Sequence, residues 1–285
     1  MEKIQHLKEF AYRHIPAKEK SKGTMLFIHG FASSSEYHLL AAKQFHEYDY
    51  YSIELPGNGF APYNSKKITF NYLVQHTIDF IEELDLKDII LIGHSMGGGI
   101  SAILVSKIKE RIKMLISVCP MNTSFSPKIL NFVNFFPNNK SDLVKLKKII
   151  FGKDTIVFED KLIEKELVFL KKNKKDFFKV ALSLVSIMTF ANLLWAEKKI
   201  DIPTLLIVGK EDGIISYKTA ISTYKKYVGN SYVLFEKSGH VPCIEEVDKY
   251  CHEVLKFIEY QSNNFVLDTS KNTSLIVNNF LKKSF

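Results

Sequence analysis

The sequence predicts an α/β fold, with a mostly parallel twisted sheet, helices on both faces and an inserted helical cap. Short runs rich in Ile, Val and Leu alternate with helical stretches, which is typical of parallel strands buried on both faces. After Pro120 the alternation stops, and lysine-rich helical patterns continue to about Lys199. With 285 residues, 46% hydrophobic and 25% charged, the chain is long enough to bury a substantial core.

Six apolar runs are predicted as strands, and several of them end in glycine or proline. They cover residues 25–28, 50–55, 88–92, 113–118, 204–208 and 232–235. Ligands of open α/β sheets bind outside the carboxyl ends of the strands. We therefore expect the functional residues in the loops that follow these runs.

The domain organisation follows from the same pattern. We predict a core of residues 1–120 and 200–260, a helical cap over 121–199, and a C-terminal extension, 261–285, that is either an extra helix or a loose tail. Helices are predicted over 99–109 and 244–260. Residues 180–195 are too apolar for a solvated helix and too short and polar to span a membrane, so this segment should face the core or a pocket. Its Met188, Phe190 and Trp195 are candidates for an acyl pocket, although such residues are more often ordinary core.

A serine between glycines follows the third apolar run. In Gly93-His94-Ser95-Met96-Gly97 the strand would turn sharply into a helix and hold Ser95 in a strained conformation. Small residues are needed on both sides because a side chain there would obstruct the turn. The flanking strand and helix patterns favour a nucleophile elbow over an ordinary glycine-rich turn.

A serine hydroxyl needs a base, and the base needs a carboxylate to orient it. His240 follows the last predicted strand in Lys-Ser-Gly-His-Val-Pro, where a loop could direct it at the elbow. Asp212 follows the preceding strand, and Glu211 beside it is the weaker alternative. The predicted catalytic residues are therefore Ser95, Asp212 and His240, in that order along the chain.

These motifs resemble the α/β-hydrolase family over about residues 20–260. Gly-His-Ser-Met-Gly-Gly is similar to the elbow of its esterase, lipase, lysophospholipase and monoacylglycerol lipase-like members. The resemblance implies that Ser95 attacks an acyl carbonyl, His240 transfers the proton and Asp212 orients the imidazole. It also implies that the backbone N–H groups of Phe31 and Met96 form an oxyanion hole. The residues that support the elbow and this loop are Gly93, Gly97, His29 and Gly30.

The loop after the second strand departs from the family pattern. It begins with Glu54, where many relatives have Asp, and carries Asn58 where they have His. We interpret both differences as structural variation.

The resemblance implies a serine hydrolase that cleaves carboxylic esters, either short to medium acyl esters or monoacylglycerol- and lysophospholipid-like molecules. A proline-iminopeptidase-like aminopeptidase is disfavoured because residues 31–35 lack the expected Gly-Gly-x-Pro-Gly loop and the cap is basic. A carbon–carbon bond hydrolase, an acyltransferase and a ligand-binding protein with a slow triad remain alternatives. No cofactor or metal is expected.

The distribution of charge along the chain indicates which kinds of partner to expect. The formal net charge is +8, and residues 120–200 contain 15 lysines against 8 acidic residues. Peripheral contact with anionic lipid is a weaker expectation. Nucleic acid is not expected, since Arg13 and Arg111 are the only arginines. The three cysteines are few and scattered, which predicts reduced thiols. The N-terminal stretch is charged and has no apolar signal region, so we expect a cytoplasmic protein. The oligomeric state stays open.

Overall fold

The computed structural model describes residues 3–58, 61, 68–123, 134–153 and 160–267. Eight strands of this part of the chain form one sheet in the order β1-β2-β4-β3-β5-β6-β7-β8. The strands are β1 (Gln5–Leu7), β2 (Phe10–Ile15), β3 (Thr24–Ile28), β4 (Asp49–Glu54), β5 (Ile89–His94), β6 (Ile112–Val118), β7 (Thr204–Gly209) and β8 (Tyr232–Phe235). Strands β3 to β8 run parallel, which confirms the predicted fold class.

An N-terminal hairpin extends the sheet beyond the six predicted strands. β1 pairs antiparallel with β2, and β2 pairs antiparallel with β4. The hairpin turns at Lys8, whose φ is 52°. Sequence analysis missed β2 because Arg13 and His14 interrupt its apolar pattern. In the structure Arg13 is buried and bonded to other side chains, so its charge does not mark an exposed position.

Ten helices surround the sheet in the described ranges. They are α1 (Leu39–Ala42), α2 (Phe70–Glu83), α3 (Met96–Ile108), α4 (Lys140–Ile150), α5 (Asp160–Lys172), α6 (Lys174–Leu184), α7 (Ile187–Glu197), α8 (Tyr217–Tyr227), α9 (Pro242–Glu245) and α10 (Val247–Leu267). α3 begins three residues earlier than predicted because the serine turn leads directly into it. The predicted closing helix is divided into α9 and α10, and α10 includes residues 261–267 of the predicted extension. Residues 268–285 of that extension lie outside the described part.

The sheet separates two hydrophobic cores. On one face α2 and α3 pack with the helices that follow β6, and on the other α1, α9 and α10 cover the strands. α3 is buried along almost its whole length, including Ile100 and Leu104. A helix that is apolar nearly all round is one that is buried on all sides, as α3 is.

Helices α4 to α7 lie between β6 and β7, which are neighbours in the sheet, so they form an insertion in the sequence between adjacent strands. α7 packs on α3, where the Leu193 side chain lies close to Gly99. The expectation that residues 180–195 face the core holds for one side only. Val180 and Leu193 are buried, whereas Ile187 is 89% exposed. The exact division into core and cap stays a prediction.

Candidate active site

The loops predicted to carry function meet at one edge of the sheet. In β5, Gly93 is the register partner of Ile28 in β3 and of Ser117 in β6. The turn that contains Ser95 therefore lies between the loops that follow those two strands. β7 and β8 bring the loops of Asp212 and His240 to the same edge.

Ser95 has the strained backbone of a nucleophile elbow, with φ 54° and ψ −118°. Its N–H donates to Val118 O at 2.9 Å, and its carbonyl accepts from Met121 N at 2.8 Å. A Cβ at Gly97 would overlap the Ile28 carbonyl oxygen, and one at Gly93 would overlap the Ser101 hydroxyl. Both glycines are thus required by close packing around the turn.

Asp212 and His240 form a buried hydrogen-bonded pair, 2.7 Å from Oδ2 to Nδ1. The other carboxylate oxygen, Oδ1, accepts from Ile214 N at 2.7 Å and Ile215 N at 2.8 Å. These two backbone donors fix the carboxylate in position. Because a carboxylate accepts, Nδ1 of His240 carries the hydrogen, which leaves Nε2 as the acceptor.

Glu211 has a different hydrogen-bond partner. Its Oε2 accepts a 2.6 Å hydrogen bond from Lys153 N, just beyond the end of α4. The structure therefore pairs His240 with Asp212 and not with the alternative acid.

The end of α4 holds the loops of Asp212 and His240 through backbone hydrogen bonds. Ile149 O accepts from Gly213 N at 3.0 Å, and Ile150 O accepts from His240 N at 2.5 Å. A Cβ on Gly213 would lie 2.5 Å from the Ile149 carbonyl oxygen. The first inserted helix is thus part of the framework that positions the Asp212–His240 pair, a contact that sequence reasoning did not anticipate.

The loop after β3 lies against the serine. A Cβ added to Gly30 would lie 3.0 Å from the Ser95 Cβ, so this position requires the absence of a side chain. His29 holds the loop: its Nε2 accepts from Leu55 N at 3.0 Å, so Nδ1 carries the hydrogen and donates to Gly30 O at 2.8 Å. Complete burial lowers the pKa of His29 to about 4, which keeps the ring neutral.

Asn58, in the loop that follows β4, supports the same loop after β3. Its Oδ1 accepts from Ala32 N at 2.9 Å, and its Nδ2 donates to Pro56 O at 3.1 Å. Ala32 has a positive φ of 51°, so the amide of Asn58 supports a strained residue next to Phe31. The departure from the family pattern at Asn58 was therefore a signal of a specific local role.

His94 is a structural neighbour of the pair rather than a competing base. Its Nε2 donates to His240 O at 2.8 Å, and the two rings lie 4.9 Å apart. Burial is the main cause that lowers the pKa of His94 to about 3. His94 directly precedes Ser95, so this bond from its neutral ring ties the His240 loop to the serine turn.

A buried polar cluster lies behind the loop after β3. Arg13 Nε donates to Ser35 Oγ at 2.7 Å, and the Ser35 hydroxyl and N–H donate to Glu54. Arg13 Nε is 3.9 Å from the Glu54 carboxylate, whose pKa is raised by burial and lowered in part by Ser35 and Arg13. Glu54, the second departure from the family pattern, thus has its own set of partners.

Aromatic side chains surround Phe31. Phe135 and Phe177 contact it edge-on, with ring centroids 5.5 and 5.6 Å away. Phe177 belongs to α6 and is fully buried. The inserted segment therefore supplies an apolar wall beside the loop of His29, Gly30 and Phe31.

The predicted acyl-pocket residues are placed differently. Met188 is 66% exposed, and Trp195 is 48% exposed in a surface groove beside α2. Phe190 is partly buried and packs against the hydrophobic core. The inward face of α7 carries other residues, among them Leu193. An acyl pocket formed by Met188, Phe190 and Trp195 stays a prediction. Spacing predicts a helix face but not which neighbour that face meets.

One group of possible metal ligands occurs among the described residues, formed by Cys119, Asp212 and His240 with ligand atoms within 4.8 Å of one another. Burial raises the pKa of the Cys119 thiol well above its ordinary value, whereas a metal binds the thiolate. Nδ1 of His240 is already bonded to Asp212. In this geometry the Asp212 carboxylate orients His240.

Comparison with known proteins shows the family. Residues 23–247 match the family model described as alpha/beta hydrolase fold. The chain belongs to the α/β-hydrolase family. This α/β-hydrolase is 28% identical over 248 residues to "Putative esterase/lipase 1" of Mycoplasma genitalium, covering 83% of this chain and 91% of the relative. It is 30% identical over 260 residues to "Putative esterase/lipase 2" of the same organism, covering 85% and 91%.

Solved structures share the fold of this α/β-hydrolase. A structure titled as a putative lipase from Acinetobacter baumannii superimposes with a TM-score of 0.82 at 22% identity, covering 93% of this chain and 92% of that one. Together with the curated relatives, the family match makes this chain a hydrolase of the esterase/lipase type.

Proposed function

We propose that this α/β-hydrolase cleaves carboxylic esters through an acyl-enzyme formed on Ser95. The observation that carries the proposal is the buried 2.7 Å pair of Asp212 and His240, on loops that meet the strained serine turn. A neutral imidazole with a free lone pair on Nε2 is the base that a serine hydroxyl needs.

The first half-reaction forms the ester of Ser95. Its Oγ attacks the carbonyl carbon of the substrate while Nε2 of His240 takes the hydroxyl proton. The bond to the leaving alcohol then breaks, and His240 gives the alcohol that proton. Asp212 stabilises the imidazolium between these steps.

The second half-reaction releases the acid. Water attacks the acyl carbonyl, His240 takes a proton from it, and the bond between the acyl carbon and Ser95 Oγ breaks as the proton returns to Oγ. Met96 is the first residue of α3, where N–H groups have no partner within the helix, so its N–H suits the negative oxygen of both intermediates. We assign the second donor to Phe31 N–H, because Gly30 lies against Ser95.

The aromatic wall supports an apolar acyl group as substrate. Phe31, Phe135 and Phe177 form a cluster next to the proposed oxyanion loop. We infer that the inserted helices act as a cap over the site and that the substrates are short to medium acyl esters, or monoacylglycerol- and lysophospholipid-like esters. The esterase/lipase names of the curated relatives agree with this substrate class.

The test is a nitrophenyl ester series of increasing acyl length, assayed beside a monoacylglycerol and a lysophospholipid. Ser95→Ala should remove the activity, and Ser106→Ala, a change at another serine near the end of α3, should keep it. A fluorophosphonate probe should label the unmodified protein and not Ser95→Ala. Ester hydrolysis that survives in Ser95→Ala, or release of proline from a prolyl arylamide without ester hydrolysis, would overturn the proposal.

A further inference from the structure

A group of apolar side chains is exposed where α6 meets α7. We call this group the apolar corner; its members are Phe178, Leu182, Val185, Ile187 and Met188. Their exposed fractions range from 38% at Val185 to 89% at Ile187. Single exposed apolar residues are ordinary, but five within eleven consecutive positions form a surface that water solvates poorly.

The corner is the outward side of helices whose inward side is already packed. Phe177 and Val180 of α6 are fully buried, and Phe177 contacts Phe31 beside the proposed site. Phe178 and Leu182 are 54% and 56% exposed, and the Phe178 ring has one edge-on contact, with Phe136 at 6.0 Å. Among the residues that the structure describes, one face of α6 is therefore packed in the core while these apolar side chains stay largely exposed.

Within residues 171–199 the exposed charges are mainly positive. Residues 171–199 contain seven lysines and two acidic residues. Of the acidic residues, Glu197 is buried and bonded to Thr123, and Asp176 is mostly buried and lies 3.5 Å from Lys179. What α6 and α7 present to the outside is therefore a combination of apolar side chains and lysines. A partner that matches both has an apolar interior and a negative surface.

The geometry of α6 and α7 suits a position at the surface of a membrane. No single helix of the described chain is long and apolar enough to cross a membrane, and α6 and α7 pass that criterion only as a pair bent by 60°. Each of them also buries one face in the protein. The bend therefore projects the corner outward, where it can enter the boundary between headgroups and acyl chains while nearby lysines contact the headgroups.

We propose that the apolar corner docks this α/β-hydrolase on an anionic lipid bilayer. Ile187 and Leu182 enter the interface, and lysines on α6 such as Lys175 contact the lipid phosphates. The docked helix is the one whose buried face contacts Phe31, so docking places the aromatic wall close to the membrane. Docking does not depend on the chemistry proposed for Ser95.

The experiment is flotation of the full chain with vesicles of phosphatidylcholine alone or mixed with phosphatidylglycerol. We expect flotation with the anionic vesicles. Ile187→Asp and Leu182→Asp should each weaken partitioning about tenfold or more, because each replaces an inserted apolar group by a charge. Lys175→Gln should weaken it about fivefold and only with anionic vesicles.

Matched controls are available on the opposite face of the sheet. Leu40 is 55% exposed, close to the 56% of Leu182, and Lys43 lies next to it. Leu40→Asp and Lys43→Gln should leave flotation unchanged. Thermal unfolding of each variant checks that the fold is kept.

Several results would overturn the proposal: no flotation with anionic vesicles, equal flotation with neutral ones, or an equal loss in the controls. Dimerisation that Ile187→Asp abolishes, seen by light scattering, would assign the corner to a second copy of the chain. Hydrolysis of a soluble short-chain ester separates the two proposals, since it should be unchanged in Ile187→Asp. Flotation of a protein without esterase activity would remove the proposed function and leave docking in place.

Discussion

Asn58 holds the strained residue Ala32 through a hydrogen bond of 2.9 Å from the Ala32 N–H to Asn58 Oδ1. Ala32 is the neighbour of Phe31, whose N–H we assign to the oxyanion hole. The position of a proposed catalytic donor after β3 therefore depends on a side chain that follows β4.

Asn58→Ala should lower kcat by about 10- to 100-fold with little change in KM, because a displaced donor weakens the transition state more than the ground state. The measurement is steady-state kinetics with a soluble nitrophenyl ester. Asn230→Ala, at an exposed asparagine, is the matched control and should behave as wild type. A raised KM with unchanged kcat would assign Asn58 to substrate binding instead.

Asp212→Asn should lower kcat on the order of 10⁴-fold, because an amide no longer holds the His240 tautomer that leaves Nε2 as the base. Glu211→Gln is the matched control, since Glu211 accepts from Lys153 N and not from His240. It should keep most of the activity. A greater loss in Glu211→Gln than in Asp212→Asn would reverse our assignment of the acid.

Gly239→Ala should destabilise the protein by about 1–3 kcal/mol, as overpacking of a closed junction does. The new Cβ would overlap the Ile150 carbonyl oxygen at the end of α4. Because Ile150 also accepts from His240 N, we expect ester hydrolysis to fall together with the free energy of unfolding. Gly229→Ala, which has open space around it, should change neither quantity. Urea unfolding and kinetics on both variants test this, and an active, fully stable Gly239→Ala would contradict it.

Arg13→Leu should reduce the free energy of unfolding by about 3–5 kcal/mol, because it leaves the buried Glu54 carboxylate without its cation. Adding Glu54→Gln should recover part of the loss by removing the uncompensated charge. The check is a double-mutant cycle by urea unfolding. Additive effects of the two substitutions would show that the residues do not interact.

His76 should make the protein less stable in acid. Its ring is buried 4.9 Å from the Phe10 ring, and burial lowers its pKa to about 4 from the ordinary 6.5. Between pH 4 and pH 6.5 the unfolded chain binds a proton at His76 more readily than the folded chain does. The stability that comes from keeping His76 neutral is therefore fully present above pH 6.5 and is lost as the pH falls toward 4. From pH 7 to pH 5 this residue should remove about 2 kcal/mol.

The measurement is urea unfolding of wild type and His76→Phe at pH 7 and pH 5. The variant should lose about 2 kcal/mol less than wild type over this range. His252→Phe, at an exposed histidine, should leave the pH dependence close to that of wild type. An unchanged pH dependence in His76→Phe would contradict the assignment.

Local chemistry made much of the fold and site predictable. Parallel strands buried on both faces need continuous apolar runs, so six strands were visible and each was placed within two residues at either end. The turn at Ser95 needs small residues at Gly93 and Gly97, so the elbow was visible as well. Asp212 and His240 could be predicted as partners of Ser95 because strands of a parallel sheet end at a common edge.

The remaining features depend on contacts between distant parts of the chain. β2 was missed because it contains the charged Arg13. This residue is buried together with its partners Ser35 and Glu54, and no local pattern reveals such distant partners. The packing of the inserted helices decides which face of α7 turns inward and leaves Ile187 exposed. It also places α4 where it bonds to the loops of Asp212 and His240. By itself the sequence indicated the family, the order of the candidate residues Ser95, Asp212 and His240 along the chain, and the candidate chemistry, because these rest on short motifs and short-range sterics. Only the tertiary structure decided which side chains support the site and which face outward, because helical spacing defines a face but not its neighbour.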